Sequence, residues 1–218
     1  MSGVIIVKGR THTIVCADQI ALSGEGLQQT RARTHKIFHI MPGVYAAGVG
    51  VWPVYTRALQ DWAAALPDLV GRTHDPVALA QPLSGPLAAG RQAGIDARLF
   101  LVFAGDYVAA TDRSDGDAQS VVVFDPPNFT PVVTTGVVSL PQPWLTKMFS
   151  AVWDLEETMQ VRVRGAIATS QFVEAFMTMC AMVSPFLDPG LDTLIVGSGA
   201  AHNMFRGGIL SPPFDYIL

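Results

Sequence analysis

Four residues in the first fifty have the types and the order needed to attack an amide bond: Ser2, Asp18, Lys36 and Gly48. A serine hydroxyl is a weak nucleophile unless a base stands beside it. With Met1 removed, Ser2 is the first residue and carries its own base. An α-amino group has an unperturbed pKa of about 7.7–8.0 and takes up the hydroxyl proton near neutral pH. Such a site also needs a cation that keeps the amine's pKa low, a carboxylate that holds the cation, and a backbone N–H for the developing oxyanion. Lys36 is the candidate cation and Asp18 the candidate carboxylate. Gly48 supplies the candidate N–H, in Ala46-Ala47-Gly48-Val49-Gly50, where a strand hands over to a helix. A glycine there lets a substrate carbonyl approach the backbone, and a helix N-terminus favours negative charge.

Each residue also has an ordinary alternative role. Asp18 suits a turn at a strand end, Lys36 a solvated strand start, Gly48 the relief of crowding between strand and helix, and Ser2 a frayed terminus. Their joint order is what favours a site.

The elements that must position these residues follow from hydrophobic periodicity. Val4 to Lys8 and Thr11 to Ala17 are β-branched runs that form a hairpin, so the chain starts inside a sheet. A polar, Gly-containing stretch from Ser23 to Thr34 follows as a loop. Lys36 to Ile40 and Val44 to Gly48 form a second hairpin turned by Met41-Pro42-Gly43. Val54, Ala58, Leu59, Trp62 and Leu66 have helical spacing, with Pro67 ending the helix. Asp75-Pro76 opens a second helix as cap and first residue, which Pro82 and Pro86 make short or kinked. Leu99 to Ala104, Tyr107 to Thr111, Ser120 to Phe124 and Pro131 to Val138 are four further antiparallel strands, and Asp112 to Asp117 is an exposed loop. Helical spacing returns at Trp144 to Trp153 and at Ser170 to Val183, with Ser170 a possible cap, and Leu191 to Val196 is a last strand. The sequence predicts one α+β domain over 1–218, two stacked antiparallel sheets between helical layers, with an irregular C-terminal extension from about residue 197.

Composition excludes several classes of function. Half of the 218 residues are apolar and 15% are charged, so a large core is expected rather than disorder. A net charge of −4, without a run of Lys or Arg interleaved with aromatics, argues against a nucleic-acid partner. Cys16 and Cys180 are too few for a disulfide framework and belong to no Cys-x-x-Cys pair, so both are read as buried thiols. The five histidines lack ligand spacing, and neither a metal nor a cofactor is expected. Gly197-Ser198-Gly199, with His202 beyond it, lacks the Gly-x-Ser-x-Gly elbow and is read as a turn. The N-terminal residues have no basic region and too short an apolar run for a secretory signal, so a cytoplasmic location is expected. The apolar stretch from Ala175 to Val183 is too short to cross a membrane.

Ser2, then Ile14-Val15-Cys16-Ala17-Asp18, then Lys36-Ile37-Phe38-His39-Ile40, then Ala46-Ala47-Gly48 before a helix, together resemble the N-terminal half of a proteasome β-subunit or its bacterial relatives. Asp18 lies sixteen residues after Ser2, as the family's aspartate does after its nucleophile. The resemblance implies the N-terminal-nucleophile hydrolase fold, a four-layer αββα sandwich. It assigns nucleophile to Ser2, supporting charges to Asp18 and Lys36, and the oxyanion hole to Gly48. It also implies a peptide or other amide substrate and self-association into a ring or spiral, and leaves an energy-dependent unfoldase partner open. The chain departs from the family in having Ser for the usual Thr, Gly3 after it, and a loop about two residues longer between Asp18 and Lys36. Ser184 and Asp188 lie near the family's late Ser/Asp/Ser cluster without its Arg-Asp and Ser-Gly-Gly. The alternatives are a catalytically silent ring or scaffold subunit and a small-molecule amidase on the same fold.

Overall fold

Strand β1 (Val4–Lys8) pairs antiparallel with β2 (His12–Asp18), Ile6 lying opposite Val15 and Val4 opposite Ala17. The computed structural model describes residues 3–8, 12–23, 30–49, 52–90, 98–107, 119–134, 136–138, 171, 173–178, 182, 190–197, 204–206 and 208–209. The segments 144–153, 108–111 and 112–117, together with Ser170, lie outside these residues, as do Ser2, Cys180 and His202.

After β2 the chain forms β3 (Ile20–Ser23) and β4 (Thr30–Arg33), which pair antiparallel as a separate two-stranded unit. The stretch read as a polar loop thus contains one arm of a hairpin. Next come β5 (Ile37–Met41) and β6 (Val44–Val49), joined at Pro42-Gly43. Gly43 has φ +79°, and a Cβ there would lie 2.8 Å from the Ala104 carbonyl oxygen, so this turn needs glycine on both counts.

Helix α1 (Trp52–Val70) follows. Ala58, Leu59, Trp62 and Leu66 line its buried face at the spacing expected, joined by Tyr55, while the burial of Val54 lies outside what is described. It does not stop at Pro67 but runs one turn further. Pro67 is exposed, so water can replace the donor it lacks, while Leu69 and Val70 beyond it pack against the core. Asp75 caps α2 (Pro76–Ala80) by accepting from Ala78 N at 3.1 Å. A 3-10 turn at Gln81–Leu83, where Pro82 falls, and α3 (Ser84–Ala89), which contains Pro86 in its first turn, complete the helical layer.

Strands β7 (Arg98–Ala104), β8 (Gln119–Phe124) and β9 (Pro131–Thr134) extend the sheet begun by β5 and β6. Tyr107 ends a 3-10 turn rather than opening a strand. The run from Pro131 to Val138, expected as one strand, divides. β9 pairs with β8 in one sheet, and β10 (Gly136–Val138) pairs with β1 in the other. Pro131 at the first position of an edge strand costs no ladder donor.

Strand β11 (Leu191–Gly197) lies beside β2, completing the order β10-β1-β2-β11-β12. Beyond Gly197 the expected irregular extension contains two short strands, β12 (Met204–Arg206) on β11 and β13 (Gly208–Ile209) on β5. The second sheet is β13-β5-β6-β7-β8-β9, antiparallel except for the parallel β13. One connection, β9 to β10, joins the sheets along one edge, and another, β12 to β13, joins them along the opposite edge.

The alternation of side chains then decides the layers. Val4, Ile6, Val15, Ala17, Leu194 and Val196 from the first sheet meet Ile37, Ala47, Phe100, Val102 and Val121 from the second in one buried cluster. The neighbours of the second set, Leu99, Leu101, Phe103 and Val122, face the other way and pack under α1 to α3. On the first sheet, helical residues 173–178 reach β11, where Thr193 Oγ1 donates to Glu174 Oε1 at 2.7 Å. The protein is therefore mixed α+β, with two mainly antiparallel sheets packed face to face and helices on the outer face of the second. Among the described residues no helix is long and apolar enough to cross a membrane.

Candidate active site

At the end of β2, where the β1–β2 pairing stops, Asp18 N donates to Gly3 O at 3.1 Å and Gly3 N donates back to the Asp18 carboxylate at 2.6 Å. Gly3 N is bonded to the Ser2 carbonyl carbon, so this anchored amide is the one that joins the candidate nucleophile to the sheet. Ser2 itself lies outside the described residues.

Lys36 directly precedes β5 of the facing sheet, and its Nζ donates to the same Asp18 oxygen at 2.6 Å. Asp18 is fully buried and the Lys36 side chain is 4% exposed. Two charges removed from water in this way are tolerable only because they are paired and further hydrogen-bonded. Asp18 meets that condition with one ammonium and one amide donor, both charge-assisted.

Gly48 is placed by strand register. Ile37, the first residue of β5, lies opposite Ala47, and Gly48 is the next residue along β6. The direction of its N–H follows from the other side of β6. Ala104 N donates to Gly43 O at 2.8 Å, and the β6–β7 register runs unbroken from Val44↔Phe103 to Val49↔Arg98. Backbone polar groups alternate along a strand, so Tyr45, Ala47 and Val49 turn theirs towards β7. Gly48 turns its N–H the other way, towards the β5 side. Asp18 at the end of β2 and Lys36 directly before β5 therefore meet between the two sheets, and Gly48 lies on β6, the neighbour of β5.

Three residues without an expected role complete the surroundings. Asp192 on β11 is fully buried opposite Ala17. Its Oδ2 accepts from Lys36 N at 2.8 Å and Ile37 N at 3.5 Å; its Oδ1 accepts from Gln19 Nε2 at 2.6 Å and meets His35 Nδ1 at 2.9 Å. Facing a carboxylate, that ring nitrogen is the donor. A signal for Asp192 was present in the sequence, because an aspartate inside the apolar run Leu191 to Val196 is buried only when it has partners. Gln19 and His35 carried none: His35 stands between the polar Thr34 and Lys36, and Gln19 follows Asp18 at a strand end.

Cys16, in the same strand as Asp18, is fully buried. Burial pushes its thiol well above the ordinary range, and the Glu174 carboxylate pushes it further the same way. It is an inert core thiol rather than a nucleophile. Among the described residues no group of three His, Cys, Asp or Glu side chains is arranged to hold a metal ion. Ser184, Asp188 and Ser198 lie outside the described residues.

Comparison with protein-family models finds none that matches this chain, and comparison with curated proteins finds no match either.

Proposed function

We propose that this chain is an N-terminal-nucleophile hydrolase of the proteasome-like kind, a four-layer αββα sandwich that cleaves amide bonds with Ser2 once Ser2 is the first residue of the mature chain. The observation that carries this reading is the buried Lys36–Asp18 pair, whose shared carboxylate oxygen also holds the amide of Gly3, the residue after Ser2. A buried ion pair is a poor way to gain stability, since apolar residues of the same volume do as well or better. A pair kept beside a chain terminus instead suits the task of setting the terminal amine's protonation.

In this mechanism the free α-amine takes the proton from Ser2 Oγ as Oγ bonds to the substrate carbonyl carbon. The Lys36 ammonium favours the neutral amine that this step requires. The carbonyl oxygen becomes an oxyanion beside Gly48 N–H. Collapse of the tetrahedral species breaks the carbon–nitrogen bond, and the proton passes from the ammonium to the departing amine. Water, deprotonated by the same amine, then cleaves the acyl ester and regenerates Ser2.

The test is the intact mass of the purified protein, followed by titration with an electrophile selective for N-terminal nucleophiles. The expected result is a chain starting at an unacetylated Ser2 that takes up one equivalent of the electrophile, and a Ser2→Ala variant that takes up none. A chain that retains residues before Ser2, or a Ser2-started chain inert to the electrophile and to peptide and small-amide substrates, overturns the reading in favour of a silent subunit.

A further inference from the structure

The carboxylate of Asp192 gathers donors from two stretches of chain, Gln19 and His35 to Ile37, and both adjoin the candidate site. Gln19 directly follows Asp18, and His35 directly precedes Lys36. The third contact is to the Lys36 backbone itself, with Ile37 N behind it. Asp192 belongs to the first sheet and Lys36 directly precedes a strand of the second, so the 2.8 Å bond between them links the two layers. Asp18 belongs to the first sheet as well, one residue beyond the Ala17 that lies opposite Asp192.

We propose that Asp192 is a positioning residue: it fastens the Lys36 backbone to the sheet that carries Asp18, so that the Lys36 ammonium is held at one place relative to the chain terminus. A lysine side chain has four rotatable bonds and a compact charge, and pairing with Asp18 fixes only its tip. The distance between that charge and the terminal amine is defined only when the Cα end is fixed too. A carboxylate is the group the position requires. Oδ1 receives two side-chain donors and Oδ2 receives backbone donors, which an acceptor-only group satisfies on both sides at once. An asparagine in the same pose turns an amide N–H₂ towards one of those donor sets and leaves it unpaired. The catalytic meaning of this placement rests on the hydrolase reading; the placement itself does not.

The experiment compares wild type with Asp192→Asn by limited reductive methylation, reading Lys36 against Lys8 in the same molecule by peptide mass spectrometry. Lys36 is 3% exposed and is labelled slowly in the wild type. In Asp192→Asn the Lys36 to Lys8 ratio rises about tenfold, equivalent to about 1.4 kcal/mol in the equilibrium that opens the segment. On amide substrates kcat falls by about tenfold while KM stays within about twofold, a split that general loosening of the fold does not produce. Should Asp192→Asn fail to fold, Gln19→Ala/His35→Ala leaves the aspartate in place without its two side-chain donors and raises the same ratio severalfold. Lys36 remaining as slow as in the wild type, in whichever of these variants folds, overturns the proposal. Wild type that hydrolyses nothing, with Lys36 shielded and released by substitution, sinks the hydrolase reading and leaves the role of Asp192 standing.

Discussion

Replacing Lys36 with methionine removes the ammonium from a site where its partner has nowhere to go. Asp18 is fully buried, and after the substitution its carboxylate keeps the Gly3 amide but loses the Nζ donor now at 2.6 Å. Removing one partner of a buried pair costs about 3–5 kcal/mol, because the remaining charge is left uncompensated. The retained Gly3 bond sets the expectation at the lower end, about 3 kcal/mol. Methionine nearly preserves the volume, so little of the loss comes from a cavity. For a chain of this size that is a fall in Tm of about 6–12 °C. Urea denaturation followed by tryptophan fluorescence measures it, and Asp18→Asn together with Asp18→Asn/Lys36→Met completes the cycle. Once the charge is gone from Asp18 the double variant recovers stability, giving a coupling energy of about 2 kcal/mol. A Lys36→Met variant within about 0.5 kcal/mol of wild type, the range of ordinary surface substitutions, refutes the argument, because it means that the pair is hydrated and exerts little force on its surroundings.

Three further predictions concern the core. The Cys16 thiol is held above its ordinary range when folded and returns to about 8.5 when unfolded. Above that pH the unfolded chain releases a proton that the folded one keeps, so stability falls by up to about 1.4 kcal/mol per pH unit, and Cys16→Ala flattens the slope; an unchanged slope contradicts the assignment. In the same protein at neutral pH, iodoacetamide leaves the Cys16 peptide unmodified until denaturant is added. Trp62 Nε1 donates to the Leu79 carbonyl at 2.8 Å in the buried contact between α1 and α2. Trp62→Phe strands that acceptor and costs about 1–3 kcal/mol by chemical denaturation, apart from any cavity term.

Where the sequence reading and the fold agree, the cause is local. Strand β7 and helix α1 are legible because burial of one face imposes a period of two or of three to four on neighbouring residues. Asp75 is legible because a cap works within one turn. The reading fails where a distant partner decides. Pro131 to Val138 has the composition of one strand, yet its halves join different sheets, because β8 and β1 are the edges on offer at that point. Helix α1 passes Pro67 because apolar residues beyond it find the core.

The candidate site divides along the same line. The types and order of Ser2, Asp18, Lys36 and Gly48 are properties of the chain, and they named a chemistry before any coordinates. That Asp18 and Lys36 meet at 2.6 Å, that Gly48 follows the Ala47 paired with Ile37, and that Asp192 ties Lys36 to the facing sheet are properties of the fold alone. Asp192 and Lys36 are 156 residues apart. No local period or propensity records a contact at that separation; it exists only because two sheets, each determined by its own alternation, bury their apolar faces against each other.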